Sequence, residues 1–417
     1  MLGQIILIVA SFWMMTNLTV HPPDFFSMVS NDLGGDAAGL SVQTGFINVE
    51  GGKLYYEKAG QGETVVFLHD GLVHCETWDE QFTYFAKYFQ VIRYDRRGYG
   101  RSELPVAAYS NIDDLHQLFE QLEISSAHLM GCSAGSRLAI DFTLAYPKMV
   151  KSLVLIGPVV SGYGFSEHFF TRGGYFNLVD LNDVDAAINY WTGVDPYTTA
   201  VTNTAVRTHL RELLGNNRQN FNPDNYTFIK ENNPSAKDRL AEIKVPTIAL
   251  VGEFDQPDVH AHSGIISGGV VGARRVIING AGHLVHMEQP KIFNRQVRQF
   301  LKHEDFVTII REDGAQKAVD LFHEIRRDDP EEIPFTELTI NVMGIELLQT
   351  GRIDEALLIF KMNIEAFPES FNVYDSYAEA QLANGDTAGA IKNYRKSLEL
   401  NPDNNNATAV LKNIRTD

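Results

Sequence analysis

Two cysteines in 417 residues, Cys75 and Cys132, are too few for a disulfide framework. Positive charge is scarce as well. The chain has 35 Lys and Arg against 53 Asp and Glu, a net charge of −18, which argues against nucleic acid or an anionic membrane as the main partner. Neither a phosphate-binding glycine loop nor metal-ligand spacing occurs, so no cofactor is expected. The apolar run at residues 2–15 is short for a membrane span, with a membrane-anchored start or a buried arm as the alternatives. It reads as the apolar part of an export signal, although no Lys or Arg precedes it, and so favours a periplasmic or secreted location over a cytoplasmic one. With the linker-like residues 20–43, rich in Pro and Gly turns, it sets residues 1–43 apart.

From residue 44 short apolar runs alternate with longer helical stretches. Residues 46–49 and 54–58 straddle Gly51-Gly52 as a hairpin. Runs at 64–68, 89–95, 127–130, 152–156, 247–251 and 275–278 read as strands, with helices between them. This alternation predicts the α/β class with a mostly parallel sheet over residues 44–302. Residues 158–242 break the rhythm and carry many aromatics, including Phe165, Phe169, Tyr175, Phe176, Tyr197, Phe221 and Tyr226. A mostly helical insertion over the sheet accounts for them better than disorder, which is poor in aromatics.

Residues 303–417 differ in texture. They hold 11 Lys and Arg against 22 Asp and Glu, and so carry −11 of the total charge. Gly351, Ala356, Phe360 and Pro368 recur 34 residues later as Gly385, Ala390, Tyr394 and Pro402. Ala318, Phe322 and Pro330 mark a looser earlier copy. That period, with small, aromatic and proline marks, predicts an all-α domain of tetratricopeptide-like repeats. Such repeats offer either a protein-binding surface or a module for packing and self-association.

The chemistry centres on Gly131-Cys132-Ser133-Ala134-Gly135, a G-x-S-x-G string lying between a strand and a helix. Its glycines permit a sharp turn that lifts the Ser133 hydroxyl above the sheet, with the Ala134 N–H beside it. A serine hydroxyl needs a base. His283, in Gly280-Ala281-Gly282-His283 after the last strand, is the best placed of 13 histidines. His286 is the nearest competitor, either supporting the site or merely exposed, and the other histidines read as surface residues. Asp255, after the run 247–251, supplies the carboxylate that orients the base, with Glu253 and Asp258 as alternatives. Asp95 reads as structural, and Cys132 as a small interior hydrophobe.

Residues 44–300 resemble the α/β-hydrolase superfamily, in its lid-bearing branch of esterases and lactonases. The resemblance rests on Phe67-Leu68-His69-Asp70-Gly71 with Trp78 downstream, on Asp95-Arg96-Arg97-Gly98-Tyr99-Gly100-Arg101-Ser102, and on the elbow, the Asp255 loop and Gly282-His283 in that order. It implies a Ser133–His283–Asp255 triad, a lid at 158–242, and an oxyanion hole made by the N–H groups of Ala134 and Gly71. Asp70 stands where glycine is usual, which leaves Leu72 as an alternative donor. A serine at the elbow implies acyl transfer on a small apolar ester-like substrate. An aminopeptidase using a lid carboxylate (Glu167, Asp180, Asp183 or Asp185) and an adaptor with a vestigial core are the rival readings.

Overall fold

The β-rich runs between residues 43 and 278 assemble into a single sheet in the computed structural model, which describes residues 40–170, 183–193, 202–230, 234–302, 306–328 and 330–414. The N-terminal segment behind the export expectation lies outside the described residues. The strands are β1 (Gln43–Val49), β2 (Gly52–Ala59), β3 (Thr64–Leu68), β4 (Gln90–Tyr94), β5 (Ala127–Cys132), β6 (Val150–Ile156), β7 (Thr247–Gly252) and β8 (Arg274–Ile278). Their order across the sheet is β1-β2-β4-β3-β5-β6-β7-β8. β1 and β2 form the expected hairpin, β2 runs antiparallel to β4, and every other pairing is parallel.

The central strands are apolar along their whole length because helices cover both faces. On β3, Val65 and Phe67 join a core with Trp78, Phe85 and Phe293 on one side. Val66 and Leu68 join Leu115, Phe119 and Phe142 on the other. Successive side chains of a strand point to opposite faces, so one short run feeds two cores.

Parallel strands bring their C-terminal ends to one edge, where such sheets bind ligands. Here that edge gathers the His69–Gly71 loop after β3, Ser133 after β5, Gly157 after β6, Asp255 after β7 and His283 after β8. Within 158–242 the described residues include helices Val184–Trp191 and Thr204–Asn216 and the short turn Asp224–Thr227. Tyr175, Phe176 and Tyr197 lie outside the described residues. Two buried asparagines tie the insertion to the sheet edge. Asn220 donates to the Leu72 carbonyl (2.9 Å) and accepts from the Gly100 N–H (3.0 Å), while Asn225 donates to the Gly98 carbonyl (3.0 Å).

The C-terminal region is helical. Helices Glu337–Gln349 and Ile353–Ala366 are followed by Phe371–Ala383 and Thr387–Leu400. Ala356, Phe360, Ala390 and Tyr394 are all buried. A Cβ on Gly344 would lie 2.5 Å from the Phe360 ring, so the first helix of that pair approaches the second too closely for any side chain.

Candidate active site

β5 ends at Cys132 and helix Ala134–Ala145 begins two residues later, so Ser133 must make the whole turn. It does so at φ 52° and ψ −112°, in a region that L-residues avoid. Holding such a residue costs on the order of 1–3 kcal/mol, and its surroundings must fix it. The Ser133 N–H donates to the Ile156 carbonyl (2.8 Å), and its carbonyl accepts from the Arg137 N–H (3.1 Å) and the Ser136 hydroxyl (2.5 Å). The flanking glycines are required by close approach. A Cβ on Gly131 would meet the Gly135 carbonyl oxygen at 2.4 Å, and one on Gly135 would meet that of Leu68 at 2.1 Å. Cys132 is fully buried, and burial pushes its thiol well above its ordinary value, so it is inert as a nucleophile.

His283 faces Asp255. Its Nδ1 lies 2.9 and 3.0 Å from the two carboxylate oxygens, and the Asp255 side chain is cut off from solvent. A carboxylate only accepts, so the proton sits on Nδ1 and Nε2 is left as the free base. Burial pulls the imidazole down, but the Asp255 charge and hydrogen bond outweigh it and the His283 pKa is raised. The two alternative acids are committed elsewhere. Glu253 accepts from the Gly280 N–H (2.9 Å), and Asp258 binds the Ser166 hydroxyl (2.8 Å) and amide.

Two supporting residues escaped the sequence reading. Gly157 sits at φ +48°, and a Cβ there would lie 2.8 Å from His283 Nδ1 and 3.2 Å from Asp255 Oδ2. The only signal was a Gly-Pro step closing a strand. Gly157→Ala is therefore expected to displace the imidazole and lower kcat/KM about 100-fold, with a smaller effect on KM, since a misplacement of about 1 Å costs that much. Steady-state kinetics beside a thermal melt would check it. Glu288 carries no sequence signal. It is buried, and accepts from the Gly282 N–H (2.5 Å) and the Thr202 N–H (2.7 Å), which fixes the peptide before His283.

Ser133, Ala134 and Gly71 line one cavity of about 310 Å³, roofed by Phe165, Phe169, Tyr226 and Ile229 of the insertion. A Cβ on Gly71 would lie 3.7 Å from that of Ala134, so their backbones adjoin. Asp70 explains its own departure from the usual glycine. Its Oδ1 accepts from the Leu72 and Val73 N–H groups (2.6 and 2.9 Å), which shapes the turn and occupies the Leu72 donor. The Gly71 carbonyl accepts from the hydroxyls of Tyr99 (2.9 Å) and Tyr226, which hold the loop from the cavity side.

The expectation that the other histidines lie on the surface is corrected by His69, His74 and His262, all buried. His69 spans two loops, with Nδ1 on the Asp70 carbonyl (2.8 Å) and Nε2 accepting from the Arg96 N–H (2.9 Å). Burial holds it well below its ordinary pKa, and neutral. His286 is buried rather than exposed. It stacks on Trp78 at 4.1 Å and meets the Thr77 hydroxyl at 3.0 Å, and burial lowers it to about 3. Asp95 is structural, accepting from the Cys75 and Arg101 N–H groups (both 2.8 Å).

Comparison with known proteins agrees with this geometry. The model of the "Alpha/beta hydrolase family" matches residues 65–296. A 2-hydroxy-6-oxononadienedioate/2-hydroxy-6-oxononatrienedioate hydrolase of Escherichia coli O81 (strain ED1a) is 30% identical over 277 residues, 61% of this chain and 94% of that protein. Hydrolase 2 of the same name from Pseudomonas putida is 27% identical over 273 residues, covering 60% and 92%. Among solved structures, Est816, described as an N-acyl homoserine lactone degrading enzyme, matches with 26% identity and a TM-score of 0.51, covering 61% of this chain and 100% of its own. The enol-lactonase of Burkholderia xenovorans LB400 shares the fold at 22% identity and a TM-score of 0.52, over 62% of this chain and 100% of its own. With the family's model spanning more than half of its length, the chain belongs to the alpha/beta hydrolase family and is an enzyme, a hydrolase.

Proposed function

We propose that the enzyme hydrolyses carboxylic esters or lactones through Ser133, His283 and Asp255. The observation that carries the reading is the His283–Asp255 pair, bonded through Nδ1 at the same sheet edge as Ser133, so that Nε2 is the nitrogen left to act as base. His283 Nε2 takes the hydroxyl proton as Ser133 Oγ attacks the carbonyl carbon. The oxyanion is held by the N–H groups of Ala134 and Gly71, the first because a helix's opening N–H groups have no partner inside it. Collapse expels the alcohol, which takes the proton from His283. Water, deprotonated by the same nitrogen, then frees the acid and restores Ser133.

Similarity to Est816, named for lactone degradation, supports the substrate class. The aminopeptidase reading has less behind it. Glu167, Asp183 and Asp185 are not among the described lining residues, and Asp180 lies outside the described residues. Asp185 instead pairs with Arg218 (2.7 Å) and Asp183 caps its helix.

The test is turnover of p-nitrophenyl esters from acetate to octanoate, together with labelling by phenylmethylsulfonyl fluoride. Turnover, inhibition and a single adduct on the Ser133 peptide are expected. A folded protein that turns over no ester and takes no label would overturn the reading. The pH profile follows from the raised His283 pKa. Below it the imidazole is protonated and cannot act as base, so kcat/KM should fall about tenfold per pH unit, with a midpoint above the ordinary 6.5. The stability linkage has the opposite sense. The raised pKa contributes stability below the unfolded value of 6.5 that is lost as pH rises through the folded one.

We further propose that the chain divides at about residue 303, with residues 44–302 as the hydrolase domain and 303–417 as tetratricopeptide-like repeats. In support, the helices at Glu337 and Ile353 restart at Phe371 and Thr387, each 34 residues on. Gly351 and Gly385 share φ +78° and +81° at the turn between paired helices. Repeats of this kind serve as a protein-binding surface or for self-association.

A further inference from the structure

The cavity beside Ser133 is apolar in most of its lining, through Ile112, Leu138, Val159, Phe165 and Phe169, yet three cations also reach it: Arg96, Arg137 and Lys230. One carboxylate among the lining residues, Asp141, stands against them. It lies 3.8 Å from Arg137 Nε and so offsets that charge. Nothing comparable serves Arg96. Its residue is 4% exposed, its Nη2 donates to the Asp70 carbonyl, and its Nε meets no acceptor. Among the described residues Arg96 forms no ion pair, and its guanidinium lies over the face of Tyr99, 4.8 Å from the ring centre. Asp70, equally buried, directs Oδ1 to two backbone N–H groups and leaves Oδ2 without a hydrogen bond, so neither oxygen is bonded to the guanidinium. His69 is held neutral by burial and by the Arg96 charge itself, so it supplies no compensation.

A buried cation with an idle donor is costly unless something balances it. In a chain of net charge −18 this one is kept at the wall of the reaction cavity. We infer that the substrate carries a carboxylate, gripped by Arg96 inside the cavity and drawn in by Lys230 at its exposed rim. The planar guanidinium suits a carboxylate, which takes two parallel hydrogen bonds from it. The body of the substrate would be apolar, as the remaining lining demands. The preferred substrate is thus the hemi-ester of a short diacid, or a lactone bearing an acid group. This deepens the ester and lactone reading and rests on it for the reaction, but not for the binding.

The test separates the two. Binding is measured on Ser133→Ala with an anionic anilide, glutaranilate, and its neutral counterpart, pentananilide. Turnover is measured on wild type with p-nitrophenyl hydrogen glutarate and p-nitrophenyl pentanoate. The anionic member of each pair is expected to be favoured about tenfold at low salt, and less at high salt. Arg96→Gln should remove most of the preference. Should that variant fail to fold, Lys230→Met, at an exposed position, should still reduce the preference and its salt dependence. Equal or better binding of the neutral anilide, or a folded Arg96→Gln that keeps the anion preference, overturns the inference. If neither ester is turned over while glutaranilate is still preferred, the serine mechanism fails and the anion site stands. If pentanoate is turned over without any anion preference, the reverse holds.

Discussion

Ser133→Ala is expected to lower kcat on p-nitrophenyl butyrate by about 10⁴-fold or more while leaving the protein folded. The size of the loss follows from what no neighbour can replace. Cys132 is the adjacent nucleophile in sequence, but it lies fully buried with its thiol pushed up, on the inner side of the turn. Ser136 is also buried, and its hydroxyl is spent on the Ser133 carbonyl and the Val159 N–H. Water attacking directly would still be helped by the cavity and the backbone donors, so a small residual rate is expected rather than none. Alanine has the same Cβ as serine and inherits the same φ of 52°, so the melting temperature should change little. A stopped assay with retained thermal stability checks the prediction. A loss below tenfold would point to a different nucleophile.

The parts of this site that were legible in the sequence are those set by short-range backbone geometry. The elbow is a local demand, since a strand, one strained residue and a helix must succeed each other within a few positions, and glycines must flank the strain. The proposed acid and base could be placed because β7 is an apolar run and β8 closes on Val276-Ile277-Ile278, with Asp255 and His283 shortly after them in the chain. Of the three carboxylates the sequence offers there, Asp255 is hydrogen-bonded to His283, while Glu253 and Asp258 bond to the Gly280 N–H and to Ser166. Gly157 was illegible because its constraint comes from an imidazole more than a hundred residues later in the chain. Glu288 was illegible for a related reason, since its shortest hydrogen bonds come from backbone N–H groups, which leave no trace in residue type. The misjudged histidines show the same limit. His69 and His286 sit beside apolar residues that mark burial, but nothing local reveals that a Thr hydroxyl or a distant N–H meets one nitrogen of each ring. The 34-residue period at the C-terminal end was readable for the opposite reason: Ala356 and Phe360 recur as Ala390 and Tyr394, and all four are buried in helices.

Asp255→Asn should lower kcat/KM by about 10⁴-fold with little change in fold, the loss seen when a triad keeps its shape but holds the wrong tautomer. The wild-type carboxylate accepts from His283 Nδ1 through both oxygens and also accepts the Gln256 N–H at 2.7 Å. An asparagine can keep the Gln256 contact with its carbonyl oxygen, which turns its amide NH₂ toward the imidazole. That NH₂ is a donor, so Nδ1 must become the acceptor and the ring proton moves to Nε2, where the base is needed. The same substitution removes the charge that raises the His283 pKa and leaves burial to dominate. The residual activity should therefore keep its acid limb only below the ordinary histidine value, a shift opposite in sense to the wild-type profile. Glu253→Gln provides the contrast. Its amide oxygen can still accept the Gly280 N–H, so kcat/KM should stay within about tenfold of wild type, with the acid limb unmoved. If Glu253→Gln rather than Asp255→Asn moved that limb, the carboxylate serving His283 in solution would be Glu253, and the β7 loop would have to rearrange during turnover.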